Sequence, residues 1–188
     1  MIFEINVPDA KRGKVVVETY DVMEDDMVEI MKYGRGAPKG KYKRLLINGR
    51  CIMSNTPDEI KDFSRFVSRA KGSILINGLG LGVILKALLS KADITDITVV
   101  EISEDVIELV GPTYLSDRRV SIINADAFEF KPPKGKRYNA VWHDIWNYIT
   151  SDNLPEMSRL HRKYGRIADY QESWCRDRCK QKKYHNDI

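Results

Sequence analysis

Two periods of hydrophobic and polar residues run along this chain. The first third follows a strand rhythm. Residues 2–7 and 14–20, the latter "KVVVETY", carry the β-branched and alternating positions of β-strands. Residues 24–33 predict a short helix with Met27, Ile30 and Met31 on one side. The Gly/Pro/Lys stretch "YGRGAPKGKYKR" has no period and reads as a loop. Two short apolar runs then flank Asn48-Gly49, a pair that tolerates the positive φ angles of a type I′ turn, so a hairpin is expected there. Thr56-Pro57-Asp58-Glu59 predicts a helix start: a Thr N-cap, Pro at the first helical position, and Glu three residues after the cap to complete a capping box. Ile60, Phe63, Phe66, Val67 and Ala70 supply the apolar stripe that follows.

From Lys71-Gly72 onward strands alternate with helices. Strands are expected at 73–77, 96–101, 120–124 and 138–144. Helices are expected at 81–91 and from a Ser103 cap through Val110. Such alternation means a parallel sheet with helical crossovers, an α/β fold. Residues 128–137, with Pro132-Pro133 and several lysines, read as an irregular connection. Beyond Asp152 the composition is helical, and "GRIADY" is only a weak strand candidate. The expected organisation is a small β-hairpin module over residues 1–53 and one α/β domain over 54–188 that ends in helices.

Composition narrows the class. The chain has 188 residues, 43% hydrophobic and 31% charged, with a net charge of +4. That is enough for a real core and too mild a charge to imply nucleic acid on its own. No apolar run approaches the roughly 20 residues of a membrane span. The first residues, MIFEINVPDAKRGK, meet charge and proline too early for a secretory signal. A cytoplasmic setting without membrane contact is expected. Cys51, Cys175 and Cys179 are too few and odd in number for a disulfide framework. Cys175 and Cys179 would share one helix face, but neither a Cys-x-x-Cys pair nor a His cluster completes a zinc site, so no metal is expected.

Chemistry concentrates in "ILINGLGLGVIL". A strand running into glycines and opening a helix makes a crevice for a ligand. The dinucleotide spacing Gly-x-Gly-x-x-Gly would need a glycine at position 83 or 85, where Val83 and Leu85 stand. A phosphate-binding loop would end in Gly-Lys-Ser/Thr, which is missing. The spacing is Gly-x-Gly-x-Gly, at Gly78, Gly80 and Gly82. Glu101 ends the next strand, where a carboxylate can accept both hydroxyls of a ribose. Asp126 follows the third strand in "NADAF", and Asp144 ends the fourth in "WHDIW". A glycine loop and three acids thus share one sheet edge, the edge where open α/β sheets bind ligands.

"ILINGLGLG", "VVEIS", "NADAFEF" and "YNAVWHDIW" together resemble the successive motifs of class I S-adenosylmethionine-dependent methyltransferases. The resemblance spans roughly residues 72–150. It implies a Rossmann-like, open, mostly parallel sheet with helices on both faces. It also implies S-adenosylmethionine as cofactor, held by Asn77, Gly78, Leu79, Gly80 and Gly82 at the methionine moiety. Glu101 would lie on the ribose, Asp126 and Ala127 by the adenine, and Asp144 facing the sulfonium, with Ile102 also among the cofactor-binding residues. Within that superfamily the hairpin "YKRLLINGRCIMSNTPDE" is most similar to the spermidine synthase branch. That branch carries an Asp-x-x-Asp pair that falls here on Asp144 to Asn147. An amide in place of the second acid cannot act as a base, which counts against aminopropyl transfer. The family's sheet also runs three strands further, so the C-terminal half is shortened here. The exposed edge would need the C-terminal helices or another subunit, and a homo-oligomer is expected.

The fourth strand end holds the catalytic candidates. Strand alternation puts His143 and Asp144 on opposite sides. Asp144 is the candidate that faces the cofactor, and His143 reads as a histidine packed behind the sheet. Tyr148 is the second catalytic candidate. With Trp146 it forms either an aromatic wall for a substrate or a packed loop. The basic tail from Arg159 to Lys183, with Tyr164, Tyr170 and Trp174 interleaved, reads as a solvated helix face in preference to a nucleic-acid surface. The expected activity is methyl transfer to an unidentified small-molecule acceptor. Aminopropyl transfer and a non-catalytic cofactor-binding or assembly role stand as the alternatives.

Overall fold

The computed structural model describes residues 4–23 and 36–186, with side chains through Lys182. The helix expected at 24–33 lies outside the described residues. The chain forms two sheets. The first is an antiparallel meander of β1 (Ala10–Arg12), β2 (Val15–Val22), β3 (Gly40–Ile47) and β4 (Arg50–Ser54), in that order. Asn48 and Gly49 join β3 to β4 with φ of 53° and 75°, the positive pair that the hairpin required. Of the strand expected at 2–7, the described residues 4–7 form none. Residues 4–7 are irregular, yet Ile5 and Val7 are buried as a strand's inward positions would be.

Helix α1 (Pro57–Arg69) begins where Thr56-Pro57 predicted, with Pro57 in its first turn. The capping box does not form. The Thr56 hydroxyl is 3.0 Å from Ser54 Oγ, and no side chain caps the helix. The apolar stripe behaves as expected: Phe63, Phe66 and Ala70 are buried, and Ile60 and Val67 pack at the core's margin. Phe66 wedges between the rings of Trp142, 5.1 Å away, and Tyr170, 5.7 Å away.

The second sheet contains β5 (Gly72–Asn77), β6 (Ile94–Glu101), β7 (Val120–Asn124), β8 (Tyr138–His143) and β9 (Ala168–Ser173). Their order is β7-β6-β5-β8-β9, and every pairing is parallel. The order reverses between β6 and β8 on either side of β5, which creates the crevice of a doubly wound sheet. The crossovers carry α2 (Val83–Leu89), α3 (Glu104–Val110) and α4 (Leu154–Tyr164), and α5 (Arg176–Asn186) closes the chain. This is the Rossmann-like α/β architecture that the sequence motifs implied.

Strand β9 corrects the sequence reading, which expected the chain after Asp144 to be mostly helical and gave only "GRIADY" as a weak strand candidate, overlapping its first three residues. It extends the sheet by a fifth parallel strand and covers β8 within the same chain. Its sequence, "ADYQES", has no β-branched residue, and only Ser173 of it is fully buried. Register therefore comes from polar ties to its neighbour: Asp169 accepts hydrogen bonds from Arg137 Nη2 and Asn139 Nδ2, each at 3.0 Å. Cys175 and Cys179 do not share a helix. Cys175 precedes α5 with φ of 49°, and Cys179 is buried within it.

One continuous core joins both sheets, from Val7, Val15 and Leu45 to Leu75, Val99 and Val141. The meander leans on α3, where Arg12 pairs with Asp105 at 3.2 Å and Glu108 at 2.8 Å. Strand β4 is thereby carried over the carboxyl ends of β5 and β6.

Candidate functional site

Each glycine of "NGLGLG" answers a separate packing demand. Gly78, with φ of 99°, passes beside the chain at the end of β8, and a Cβ there would sit 2.0 Å from the Asp144 carbonyl oxygen. Gly80 leaves room for Met53 of β4, whose Sδ would lie 2.5 Å from an added Cβ. Gly82 makes space for the Tyr114 ring, whose hydroxyl donates to the Leu81 carbonyl at 3.0 Å. The loop is therefore shaped by its surroundings on three sides.

Glu101 ties this loop to the next strand end. Its Oε2 accepts from Leu79 N and its Oε1 from Ser103 N, both at 2.8 Å. The carboxylate is buried, yet each oxygen keeps a further lone pair. Asp126 Oδ1 accepts from Phe128 N at 2.7 Å, which fixes the turn after β7. Ala127 is buried, and its carbonyl accepts from the Tyr164 hydroxyl at 3.0 Å.

These strand ends enclose a cavity of about 420 Å³. Gly78, Gly80, Glu101, Ile102, Asp126, Ala127 and Asp144 line it, so seven of the residues singled out in the sequence converge there. Leu45, Ile47, Ile52 and Met53 of the meander form an apolar roof, and Trp146, Asn147 and Glu156 close one side. Among the described residues, four carboxyl groups line the cavity, from Glu101, Asp126, Asp144 and Glu156, and no Lys, Arg or His does. Ile102 stands at the rim, 70% exposed. Among the described residues no helix is long and apolar enough to cross a membrane, and no cluster of His, Cys, Asp and Glu is arranged to hold a metal ion.

The other predicted residues lie around this cavity without lining it. Leu79 contributes its backbone N–H to Glu101, and Gly82 serves the Tyr114 contact. Tyr148 is exposed, and Arg50 Nη1 donates to its hydroxyl at 3.2 Å. Asn77 is fully buried on the opposite side of the sheet, where its Nδ2 lies 2.8 Å from His143 Nδ1.

The neighbours of His143 set its protonation. Gln171 Nε2 donates to the His161 carbonyl, so the amide oxygen of Gln171 faces His143 Nε2 at 3.2 Å. His143 therefore donates from Nε2 and accepts from Asn77 at Nδ1, as a neutral imidazole. Burial is the chief reason that its pKa falls to about 3. This is the packed histidine the strand alternation predicted, with no path to the cavity.

Asp144 is the electrostatic outlier of the cavity. Burial pushes its carboxyl up to about 8. Glu59, Asp62 and Glu101 add to the shift by repulsion, and the Trp142 indole opposes it. The carboxyl therefore holds its proton at neutral pH unless a cation arrives beside it.

Sequence reasoning missed the roof of the cavity, above all Met53, whose Sδ accepts from Leu81 N at 3.3 Å. The only hint was the hairpin's likeness to the spermidine synthase module. Glu156, which accepts from Trp146 Nε1 at 2.7 Å, gave no signal within its helical segment.

No family model matches the chain, and no curated protein does. Several solved structures are similar to it at low identity. Spermidine synthase from Thermotoga maritima is 16% identical over 67% of this chain and 45% of its own, with a TM-score of 0.47. A Pyrococcus horikoshii protein assigned as an RNA methyltransferase is 15% identical over 59% of this chain and 52% of its own, with a TM-score of 0.45. A Staphylococcus aureus protein assigned as a caffeoyl-CoA O-methyltransferase is 23% identical over 59% of this chain and 51% of its own, with a TM-score of 0.43. The chain spans about half the length of these structures.

Proposed function

We propose that this protein binds S-adenosylmethionine in the cavity at the carboxyl ends of β5 to β8 and transfers its methyl group to a small acceptor. The observation that carries this reading is the acidic character of the cavity: among the described residues its lining has the carboxyl groups of Glu101, Asp126, Glu156 and the protonated Asp144, and no cationic side chain, over a glycine loop. A pyrophosphate-bearing dinucleotide would meet repulsion there. A sulfonium cation would be attracted. Glu101 is placed to take ribose hydroxyls on its remaining lone pairs. Ile102, exposed at the rim of the cavity, gains burial if an adenine ring lies over it. Asp144, driven toward its anion by the arriving cation, is the group that can receive a proton from the acceptor.

A second reading draws support from the acids behind Asp144. Glu59 and Asp62 add negative potential on that side, which suits an amine acceptor and keeps aminopropyl transfer in view. Asn147 lines the cavity where that chemistry calls for a second acid. The acceptor's charge therefore separates the two readings, and product mass does so directly: methylation adds one methyl group, and aminopropyl transfer lengthens a polyamine.

The site assignment has its own test. Glu101→Ala and Asp126→Ala are each expected to weaken S-adenosylmethionine binding about tenfold or more, the effect of losing one charge-assisted contact. Calorimetry on the purified variants measures this. Affinities equal to the parent's would place the cofactor elsewhere.

A further inference from the structure

A second cavity, of about 500 Å³, lies between α1, β9 and the start of α5 and shares no lining residue with the first. Its electrostatics are the reverse. Lys61, Arg65, Arg69, Arg176, Arg178 and Lys180 line it against Asp62, Glu172 and Asp177.

The three carboxylates are already engaged. Glu172 pairs with Arg65 at 2.7 Å, Asp62 with Arg178 at 3.6 Å, and Asp177 with Lys180 at 3.1 Å. Asp62 also accepts from Trp174 Nε1 at 3.2 Å. That leaves Lys61, Arg69 and Arg176 without a carboxylate among the described residues. Arg69 is held in place over the Tyr170 ring at 4.1 Å.

Arg176 is the telling member. Its Nε is buried and has no hydrogen-bond partner among the described residues. A buried guanidinium N–H without an acceptor is costly, and native structures rarely keep one unless a ligand or water completes it. Arg176 also opens α5, a helix of 11 residues. The surplus positive field reaches His161, another lining residue, whose pKa is held at about 4 by burial and by Arg176 and Lys180.

We propose that this cavity binds a compact polyvalent oxyanion, the phosphate or clustered carboxylate groups of a small molecule, with Arg176 as its central contact and Lys61 and Arg69 at its rim. The proposal stands apart from the cofactor reading, because the two cavities have different walls and opposite charge.

Calorimetric titration of the full chain at low salt with pyrophosphate, citrate and sulfate tests it. Saturable one-to-one binding is expected for at least one of them, and the preferred anion separates phosphate from carboxylate chemistry. Arg176→Gln is expected to weaken that binding about tenfold. Lys61→Gln, an exposed change that leaves the core untouched, is expected to weaken it several-fold and serves if Arg176→Gln does not fold. Lys134→Gln, in the loop before β8 and outside the cavity, is expected to change nothing. The proposal is overturned if no anion binds saturably. It is equally overturned if the folded cavity variants bind as the parent does, or if Lys134→Gln weakens binding as much as they do.

Discussion

Gly78→Ala is expected to be the most damaging single-methyl change in this protein, destabilising it by about 3 kcal/mol or more. The added carbon would lie 2.0 Å from the Asp144 carbonyl oxygen, and the φ of 99° is strained for any side chain. Relaxation is blocked on both sides. Gly78 N donates to the Val100 carbonyl and Asp144 N to the Asn77 carbonyl, both at 2.8 Å, so the two crossing segments are tied to the central strands. Gly135→Ala is the matched control. It carries a similar φ of 82° but meets nothing within 4 Å, so only about 1 kcal/mol of backbone strain is expected. Denaturant unfolding of the two variants separates steric collision from conformational preference. Equal losses would mean that the chain does not cross at Gly78 as described.

The second large effect is a pH dependence centred on Asp144. Its carboxyl in the folded protein titrates near 8, against an ordinary value of 3.8. Between those values the folded state holds a proton that the unfolded chain has released. Stability therefore falls as pH rises from about 4 to 8 and levels off above. Asp144→Asn removes this slope. Relative to the parent, the variant is expected to gain on the order of 2 kcal/mol between pH 6 and pH 9. His143 and His161 act in the opposite sense. Their pKa values of about 3 and about 4 lie below the ordinary 6.5, so the stability they contribute is intact above 6.5 and drains away as pH falls. The two slopes meet between about pH 6 and 7, where the parent is expected to be most stable. Thermal unfolding across pH 5 to 9 measures both. A parent and variant that respond identically above pH 6 would show that Asp144 is ionised throughout. If a cation binds beside Asp144, it expels this proton, so binding at pH 7 should release close to one proton and strengthen up to about pH 8.

The parts of this account that were legible in the sequence are those where one period or one turn dictated the outcome. Strand β7 and the Asn48-Gly49 turn fall where the pattern placed them, because a short run rich in β-branched residues and a positive-φ pair leave few alternatives. The acids at the strand ends were visible because Glu101 closes β6, Asp144 follows β8 and Asp126 stands two residues past β7. Strand β9 showed only as the weak candidate "GRIADY", since an edge strand held by Asp169 and its partners needs no β-branched residues to declare it. Thr56 looked like a capping residue from its spacing, but Ser54 lies close enough to engage its hydroxyl, a contact no linear pattern reveals. The same limit hid Met53, which reaches the glycine loop from 27 positions upstream of Gly80, and Arg176, whose isolation depends on which acids its neighbours have already taken.

The central claim is that the negatively lined cavity over the glycine loop takes S-adenosylmethionine, and one titration tests it most directly. The purified protein is titrated calorimetrically with S-adenosylmethionine, S-adenosylhomocysteine, decarboxylated S-adenosylmethionine, methylthioadenosine and NAD. Micromolar binding of the first two is predicted, with NAD silent. Silence from all the adenosyl compounds, or preference for NAD, would contradict the account and reduce "INGLGLG" to a tight turn between strand and helix.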